Sequence, residues 1–324
     1  MKFHERICLF LPFLLFLHTA VWAQRLIEVN YALDTKGRYV FTCTNHDFCT
    51  YVLYLDFPTL TNAKSDHALP YEAEVRPGVN QLLAISSVDP SKDIKFNFKT
   101  SSRKGCLHPV INPNFTYLLP IAPGQETQAY RIVNTRNVPG GGSATSGAAA
   151  GKGGSGAATG AGHDSGYAVR LRASIGDTIY AARRGVVTVV AVGNTENDAG
   201  ANTTDSWNHI EISHADCSFA EYGVLKKDGA FVRPGQIVEA GTPIGLVGGD
   251  RYGRGSDVRF SVSYYPGIVG TEIPLQFWTK GNGKGPLKHG ATYTSEFPRN
   301  LLTQEKSKPA ARPSAKKPKP RTAR

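Results

Sequence analysis

A chain of 324 residues suggests two domains at ~100–200 residues each. With 40% hydrophobic and 10% aromatic residues it has enough apolar material for packed cores, which excludes global disorder. The net charge of +11 is unevenly placed: Lys306, Lys308, Arg312, Lys316, Lys317, Lys319, Arg321 and Arg324 follow Glu305 with no acid among them, so the folded part is only mildly basic.

The N-terminus carries Lys2, Glu5 and Arg6, then an apolar run over residues 7–17, then small residues around Ala20 and Ala23. This is the pattern of a secretory signal peptide, residues 1–23, cut after Ala23. The run is shorter than the ~20 apolar residues of a membrane-spanning helix, and Cys8 lies too early for a lipoprotein cleavage site. Export to the periplasm or beyond removes nucleic acid as a partner and permits disulfides. Four cysteines remain after cleavage, Cys43, Cys49, Cys106 and Cys217, which allow three full pairings. Cys43 and Cys49 flank an expected hairpin turn at residues 45–48, which favours that pair.

From residue 24 to 127 the chain reads as an N-terminal β-sandwich. Residues 26–33, 39–44, 51–57, 82–85, 94–98 and 116–121 are rich in β-branched, aromatic and aliphatic side chains, with turn signals at residues 34–37 and 76–78. This unit offers little chemistry: His46, Asp47, His67 and His108 lie in polar loops without partners at ligand spacing and read as surface residues. Asn114-Phe115-Thr116 matches a glycosylation sequon, which matters only in a eukaryotic secretory pathway.

Residues 139–162 have almost no side-chain volume to bury and read as a flexible linker or loop. Gly151-Lys152-Gly153 lacks the frame of a phosphate-binding loop. Beyond it, short apolar runs punctuated by Gly176, Gly185, Gly235, Gly241 and Gly245 predict a second all-β unit over residues 128–300. The tail, residues 301–324, is rich in Pro, Ala and Lys and reads as disordered, suited to anionic envelope polymers or a membrane surface.

Three blocks of the second unit carry a family resemblance. Residues 166–171 (GYAVRL) with 175–187 (IGDTIYAARRGVV), residues 214–225 (HADCSFAEYGVL), and residues 232–248 (VRPGQIVEAGTPIGLVG) followed by 255–262 (GSDVRFSV) agree in order, spacing and glycine placement with the LytM/lysostaphin-type zinc endopeptidases. The third block is also similar to biotinyl/lipoyl carrier domains, but an export signal and the lack of a modifiable lysine turn speak against a carrier. The resemblance implies an all-β fold, a β-sandwich followed by a LytM-type β-sheet domain, and an enzyme that cuts peptide crosslinks of bacterial cell wall.

In that family zinc is held by a His, an Asp a few residues later, and the second His of a His-x-His pair. The first His of the pair and a His in a preceding turn act on the water and the transition state. By this resemblance His163 falls at the first ligand position, Arg170 at the Asp, Arg259 at the metal-binding His, Asp257 at the other His of the pair and Val224 at the turn His. A catalytic zinc needs three protein ligands and an open position. Arginine stays protonated and valine cannot transfer a proton. The expectation is therefore a degenerate domain with no catalytic residues and no metal or other cofactor. Arg170, Asp257, Arg259 and Glu221 would instead line a ligand groove, with an Arg–Asp pair replacing the metal in the local charge balance. Such a protein binds peptidoglycan or regulates a wall-hydrolase protein. The competing expectation is an active zinc endopeptidase with an atypical site.

Overall fold

The computed structural model describes residues 26–131, 167–194, 207–249 and 256–305. The expected signal peptide, the 139–162 linker, His163 and the tail from residue 306 lie outside them.

The N-terminal body is built from β1 (Ile27–Leu33), β2 (Tyr39–Asn45), β3 (Tyr51–Thr61), β4 (Ala63–Ser65), β5 (Tyr71–Val75), β6 (Gly78–Ser87) and β7 (Lys95–Lys104). They form two sheets, β1-β2-β6-β4 and β5-β3-β7. Alternation along β2 turns Phe41, Cys43 and Asn45 inward, where they meet Leu53 and Leu55 of β3 and Val75 of β5 in one core. Phe41 also stacks edge-on against Phe57 and Phe98, ring centroids 5.3 and 5.4 Å away. Two sheets closing on one apolar core make a β-sandwich, as expected.

The turn at residues 45–48 is not a hairpin. β2 and β3 belong to opposite sheets, so the chain crosses the sandwich there. Asn45 bridges the crossing by donating from Nδ2 to the carbonyls of Cys49 and Val75, 2.9 and 3.0 Å. The expected Cys43–Cys49 disulfide is therefore not formed: both are buried free thiols, and strands that do not pair across a turn do not bring their flanking cysteines together. The bond runs between Cys106 and Cys217, 111 residues apart, with Cα atoms 5.9 Å apart. Asp47 is likewise not a surface residue. It is buried and accepts hydrogen bonds from Tyr51 Oη at 2.7 Å and from the Phe48 N–H at 2.7 Å.

The second body starts with β8 (Thr116–Leu118) and β9 (Glu126–Arg131), followed by β10 (Val169–Arg172), β11 (Thr178–Tyr180), β12 (Gly185–Ala191), β13 (His209–Ser213), β14 (Ser218–Gly223) and β15 (Leu225–Ala230). It continues with β16 (Ile237–Val238), β17 (Pro243–Val247), β18 (Asp257–Tyr264), β19 (Thr271–Glu272), β20 (Gln276–Thr279), β21 (Gly283–Gly285), β22 (Thr292–Thr294) and the short α1 (Arg299–Thr303). The principal sheet runs β16-β12-β13-β14-β18-β10-β9-β22, with β19 added on β18. Smaller sheets, β11-β17-β15 and β21-β20-β8, complete it. β8 pairs in parallel with β20 and β9 pairs with β10 and β22. β8 falls within residues 24–127 and β9 begins there, yet their hydrogen bonds lie with the second body.

The core of this body follows from period-two patterning. Val258, Phe260 and Val262 of β18 point inward with Leu171 of β10, Ala220 and Tyr222 of β14, and Ile210 and Ile212 of β13, all essentially excluded from water. Each large side chain so buried contributes roughly 1.5–3 kcal/mol. Tyr222 satisfies its hydroxyl by accepting the Ala182 N–H at 2.8 Å. Residues 301–305, expected in the disordered tail, are held in place. Leu301 is buried in α1, and Glu305 takes a forked pair of bonds from Arg183.

Candidate functional site

The same alternation that buries one face of β18, β10, β14 and β13 turns a polar set onto the other. Arg170 and Arg172 of β10, Asp257 and Arg259 of β18, Glu221 of β14 and His209 of β13 share it. The antiparallel register places Arg170 directly opposite Arg259 and Arg172 opposite Asp257. Tyr130 of β9 lies opposite Arg170 on its other side. Gly223 lies opposite both Arg259 and His209.

Neighbouring contacts hold β10 in this register. Glu272 Oε2 accepts the N–H groups of Tyr167 and Ala168 at 3.1 and 3.2 Å, fixing the start of the strand. At its end, Thr127 Oγ1 donates to the Arg172 carbonyl at 2.8 Å and Ser256 Oγ to the Ala173 carbonyl at 2.5 Å.

Asp257 and Arg259 are almost fully buried. Arg170 donates from Nη1 to Asp257 Oδ2 at 3.4 Å, with about a quarter of its own side chain exposed. Each arginine also lies over an aromatic ring, 5.6 Å for Arg170 over Tyr130 and 4.6 Å for Arg259 over Trp207. Arg172 shares the Tyr130 ring at 5.3 Å. Glu221 is half-buried beside them. Desolvation raises its pKa, against the opposing pull of the His209 and Arg259 charges and a side-chain hydrogen bond with Trp207.

Val224 stands at the corner between β14 and β15 with φ at +66°. That conformation is costly for a β-branched residue. The corner is pinned because the Val224 carbonyl accepts the Gly248 N–H at 2.8 Å. A Cβ on Gly248 would meet the Leu225 carbonyl oxygen at 2.6 Å, so the close approach requires glycine there. His209, at the start of β13, has Nδ1 3.2 Å from the Trp207 carbonyl. His214, just past the end of β13, is buried, with Nδ1 2.8 Å from the Arg184 carbonyl. It faces a cavity of about 240 Å³ lined also by Phe48, Pro77, Arg184 and Glu305, which contains none of the groove residues.

The N-terminal sandwich sits on the far end of the same polar face. Lys104 places Nζ 2.7 Å from Glu211 Oε1 of β13, and Thr188 Oγ1 donates to that same oxygen at 2.6 Å. Arg103 donates to the Tyr265 carbonyl at 2.7 Å, and Phe219 of β14 inserts into the sandwich core. The Cys106–Cys217 bond closes this junction.

The sequence model described as Peptidase family M23 matches residues 164–269. That segment, about a third of the chain, is an M23 domain. Among solved structures, the chain is similar to the catalytic domain of a mutant prophage-encoded M23 protein, EnpA, from Enterococcus faecalis. The identity is 24%, coverage is 33% of this chain and 74% of that one, and the TM-score is 0.26. Similarity to the catalytic domain of lysostaphin from Staphylococcus simulans is 20% in identity over 33% and 77% of the two chains, at TM-score 0.26. Helicobacter pylori Csd3 aligns more widely, over 80% of this chain and 77% of its own, at 12% identity and TM-score 0.30. No curated protein matches the chain.

The residues of the M23 domain brought together here do not fit a zinc site. Two guanidinium groups face each other where donors would have to converge, and the Asp257 carboxylate is engaged by one of them. Among the described residues, no three His, Cys, Asp or Glu side chains are grouped to hold a metal. The structure thus brings Arg170, Asp257, Arg259 and Glu221 onto one face and Val224 beside it, while His163 lies outside the described residues. Sequence reasoning missed Trp207 and Tyr130, the two rings that carry the arginines. Their signal was an aromatic residue just before β13 and another at the end of β9, each near a strand that pairs into the groove.

Proposed function

We propose that this chain is an exported, non-hydrolytic M23-domain protein that binds cell wall or regulates a wall-hydrolase protein in the periplasm or outside the cell. The observation that carries this reading is the direct opposition of Arg170 and Arg259 across β10 and β18. Hydrolysis by the family route needs a metal and proton-transfer groups. Here a permanently charged pair stands at two of the metal positions, and Val224 at the turn position has no proton to give. What remains is a polar groove with fixed charge and stacked aromatic rings, which is the equipment of a binding surface. The basic tail adds attraction to anionic envelope polymers or to a membrane surface.

The test is co-sedimentation of the purified mature chain with peptidoglycan sacculi, alongside release of crosslink fragments from the same sacculi and stimulation of added wall hydrolases. Retention or stimulation without fragment release is the expected result. Fragment release that is abolished by chelator and restored by zinc would establish the endopeptidase instead. The fourfold variant Arg170→Asp, Val224→His, Asp257→His and Arg259→His should gain zinc if only the side-chain chemistry separates this groove from an enzyme.

A further inference from the structure

We propose that the mature chain forms a two-fold dimer in which β1 pairs antiparallel with β1 of a second copy, joining two N-terminal sandwiches edge to edge.

A sheet edge presents a row of unpaired N–H and C=O groups, and natural edges are kept short, charged, bulged or covered. Among the described residues the sandwich has four edges, β1, β4, β5 and β7, and three of them carry such guards. β4 has only three residues. β5 has five, with Glu72 and Glu74 along it, and Glu74 accepts the Leu107 N–H at 2.8 Å. β7 carries Lys95, Lys99, Arg103 and Lys104, and its register with β3 shifts between Asp56 and Thr59. Its last two residues are engaged by the M23 body. β1 differs from all three. It pairs with β2 in one unbroken register over seven residues, and its only charged residue is Glu28.

Ile27, Val29, Tyr31 and Leu33 alternate onto the core face of β1. The first two are half-buried, whereas Tyr31 is 48% and Leu33 62% exposed. Tyr31 leans edge-on against Phe96 of β7, ring centroids 5.1 Å apart, at the opposite end of that strand from Lys104. The exposed end of β1 thus lies away from the junction with the M23 domain.

The sequence of β1 selects a second copy as the occupant, because the strand is complementary to itself. Antiparallel pairing centred on Asn30 sets Val29 opposite Tyr31, Ile27 opposite Leu33 and Glu28 opposite Ala32. Each apolar residue of the core face then meets another, and the exposed end of one strand is covered by the half-buried start of the other. No like charges face each other directly. Centring on Tyr31 instead sets Glu28 opposite Asp34, a repulsive pair. Centring on Val29 leaves Leu33 beyond the facing strand. A slip of one residue turns the apolar face of one strand against the polar face of the other. A single pair of short strands is a small interface beside the ~1,200–2,000 Å² of stable ones, so association sets in at concentrations on the order of micromolar or above.

The experiment is sedimentation velocity of the full mature chain from about 1 to about 300 µM, which should show monomer passing into dimer. Leu33→Lys changes a side chain already exposed in the monomer, so its thermal melting should hold. Its association should weaken by about tenfold or more, because two-fold symmetry removes the contact twice. Asn30→Cys meets its own counterpart across the axis at the ~4.5–5.5 Å Cα spacing of directly opposed strand residues, which a disulfide spans. It should oxidise to a covalent dimer, whereas Ala32→Cys, set opposite Glu28, should not. If Leu33→Lys melts lower than the natural chain, the two cysteine variants decide. A chain that stays monomeric throughout, association unchanged in a folded Leu33→Lys, or equal crosslinking of the two cysteine variants would each overturn the proposal.

Discussion

Lys104 of the sandwich lies 2.7 Å from Glu211 of the M23 domain, and Glu211 stands directly opposite Glu221, one of the groove carboxyls. Burial by itself would pull the Lys104 ammonium down, and the Glu211 carboxylate more than offsets it, so the pKa is raised. The pair ties the placement of one body to the charge balance of the other's groove. Removing one partner of a buried ion pair costs ~3–5 kcal/mol, and the residual exposure of Lys104 places its loss toward the lower end. Lys104→Met should therefore destabilise the chain by about 3 kcal/mol in denaturant unfolding, and the double variant Lys104→Met with Glu211→Gln should recover part of it. A single-variant loss under about 0.5 kcal/mol, the level of an exposed pair, would show that the contact contributes nothing to docking.

The Cys106–Cys217 bond should be recovered by peptide mapping of the non-reduced chain, with Cys43 and Cys49 alkylated only after unfolding because both thiols are buried. Burial raises the Cys43 pKa to about 11, so its thiolate is scarce at neutral pH as well. Removing the bond with the Cys106→Ser, Cys217→Ser pair should cost about 2–4 kcal/mol, the usual range for a native disulfide closing a long loop. Recovery of a Cys43–Cys49 peptide would contradict the pairing.

His214 sets an acid limit on stability. Desolvation, reinforced by the Arg183 charge, lowers its pKa from 6.5 to about 3. Between those values the unfolded chain binds a proton that the folded chain does not, so stability falls as pH drops below 6.5. The slope is on the order of 1 kcal/mol per pH unit. Glu221 acts in the opposite sense, because its raised pKa favours the folded chain most below 4.5 and that advantage is lost as pH rises. Thermal melting from pH 7 to pH 4 should show a steep decline that flattens in His214→Asn. An unchanged pH profile in that variant would contradict the assignment.

Val224 contributes apolar burial but occupies a conformation that costs a β-branched residue ~1–2 kcal/mol. Asn tolerates φ near +60°, so Val224→Asn should exchange burial for relief of strain and melt within about 1 kcal/mol of the natural chain. Leu225→Ala, at the adjacent buried position with no such relief, should lose about 2–5 kcal/mol. Equal losses in the two variants would mean that the left-handed corner stores no strain.

Much of this architecture was legible because strands write themselves in period two. Residues 258, 260 and 262 alternate with 257, 259 and 261, which puts Asp257 and Arg259 on one face of β18, whereas the expectation that Arg170 joins them came from the family resemblance. Relations that depend on which strands pair were not legible. The crossing from β2 to β3 looks like a hairpin in sequence, so Cys43 and Cys49 looked like partners, and Cys106 gave no sign of a contact 111 residues away. Trp207 precedes its strand and reaches Arg259 only because β13, β14 and β18 lie side by side. Asp47 read as polar loop because nothing local foretold that Tyr51 and the Phe48 N–H would bury and satisfy it.

Zinc content is the most direct measure of whether the groove is a binding site or an enzyme. The purified mature chain, incubated with excess zinc at neutral pH and dialysed, should retain well under one zinc per chain by elemental mass spectrometry, matching a control in which Arg170 and Arg259 are both replaced by Gln. Retention of one zinc per chain that is lost in the Asp257→Ala variant would contradict the account, because it would mean that the facing arginines coexist with a working metal site.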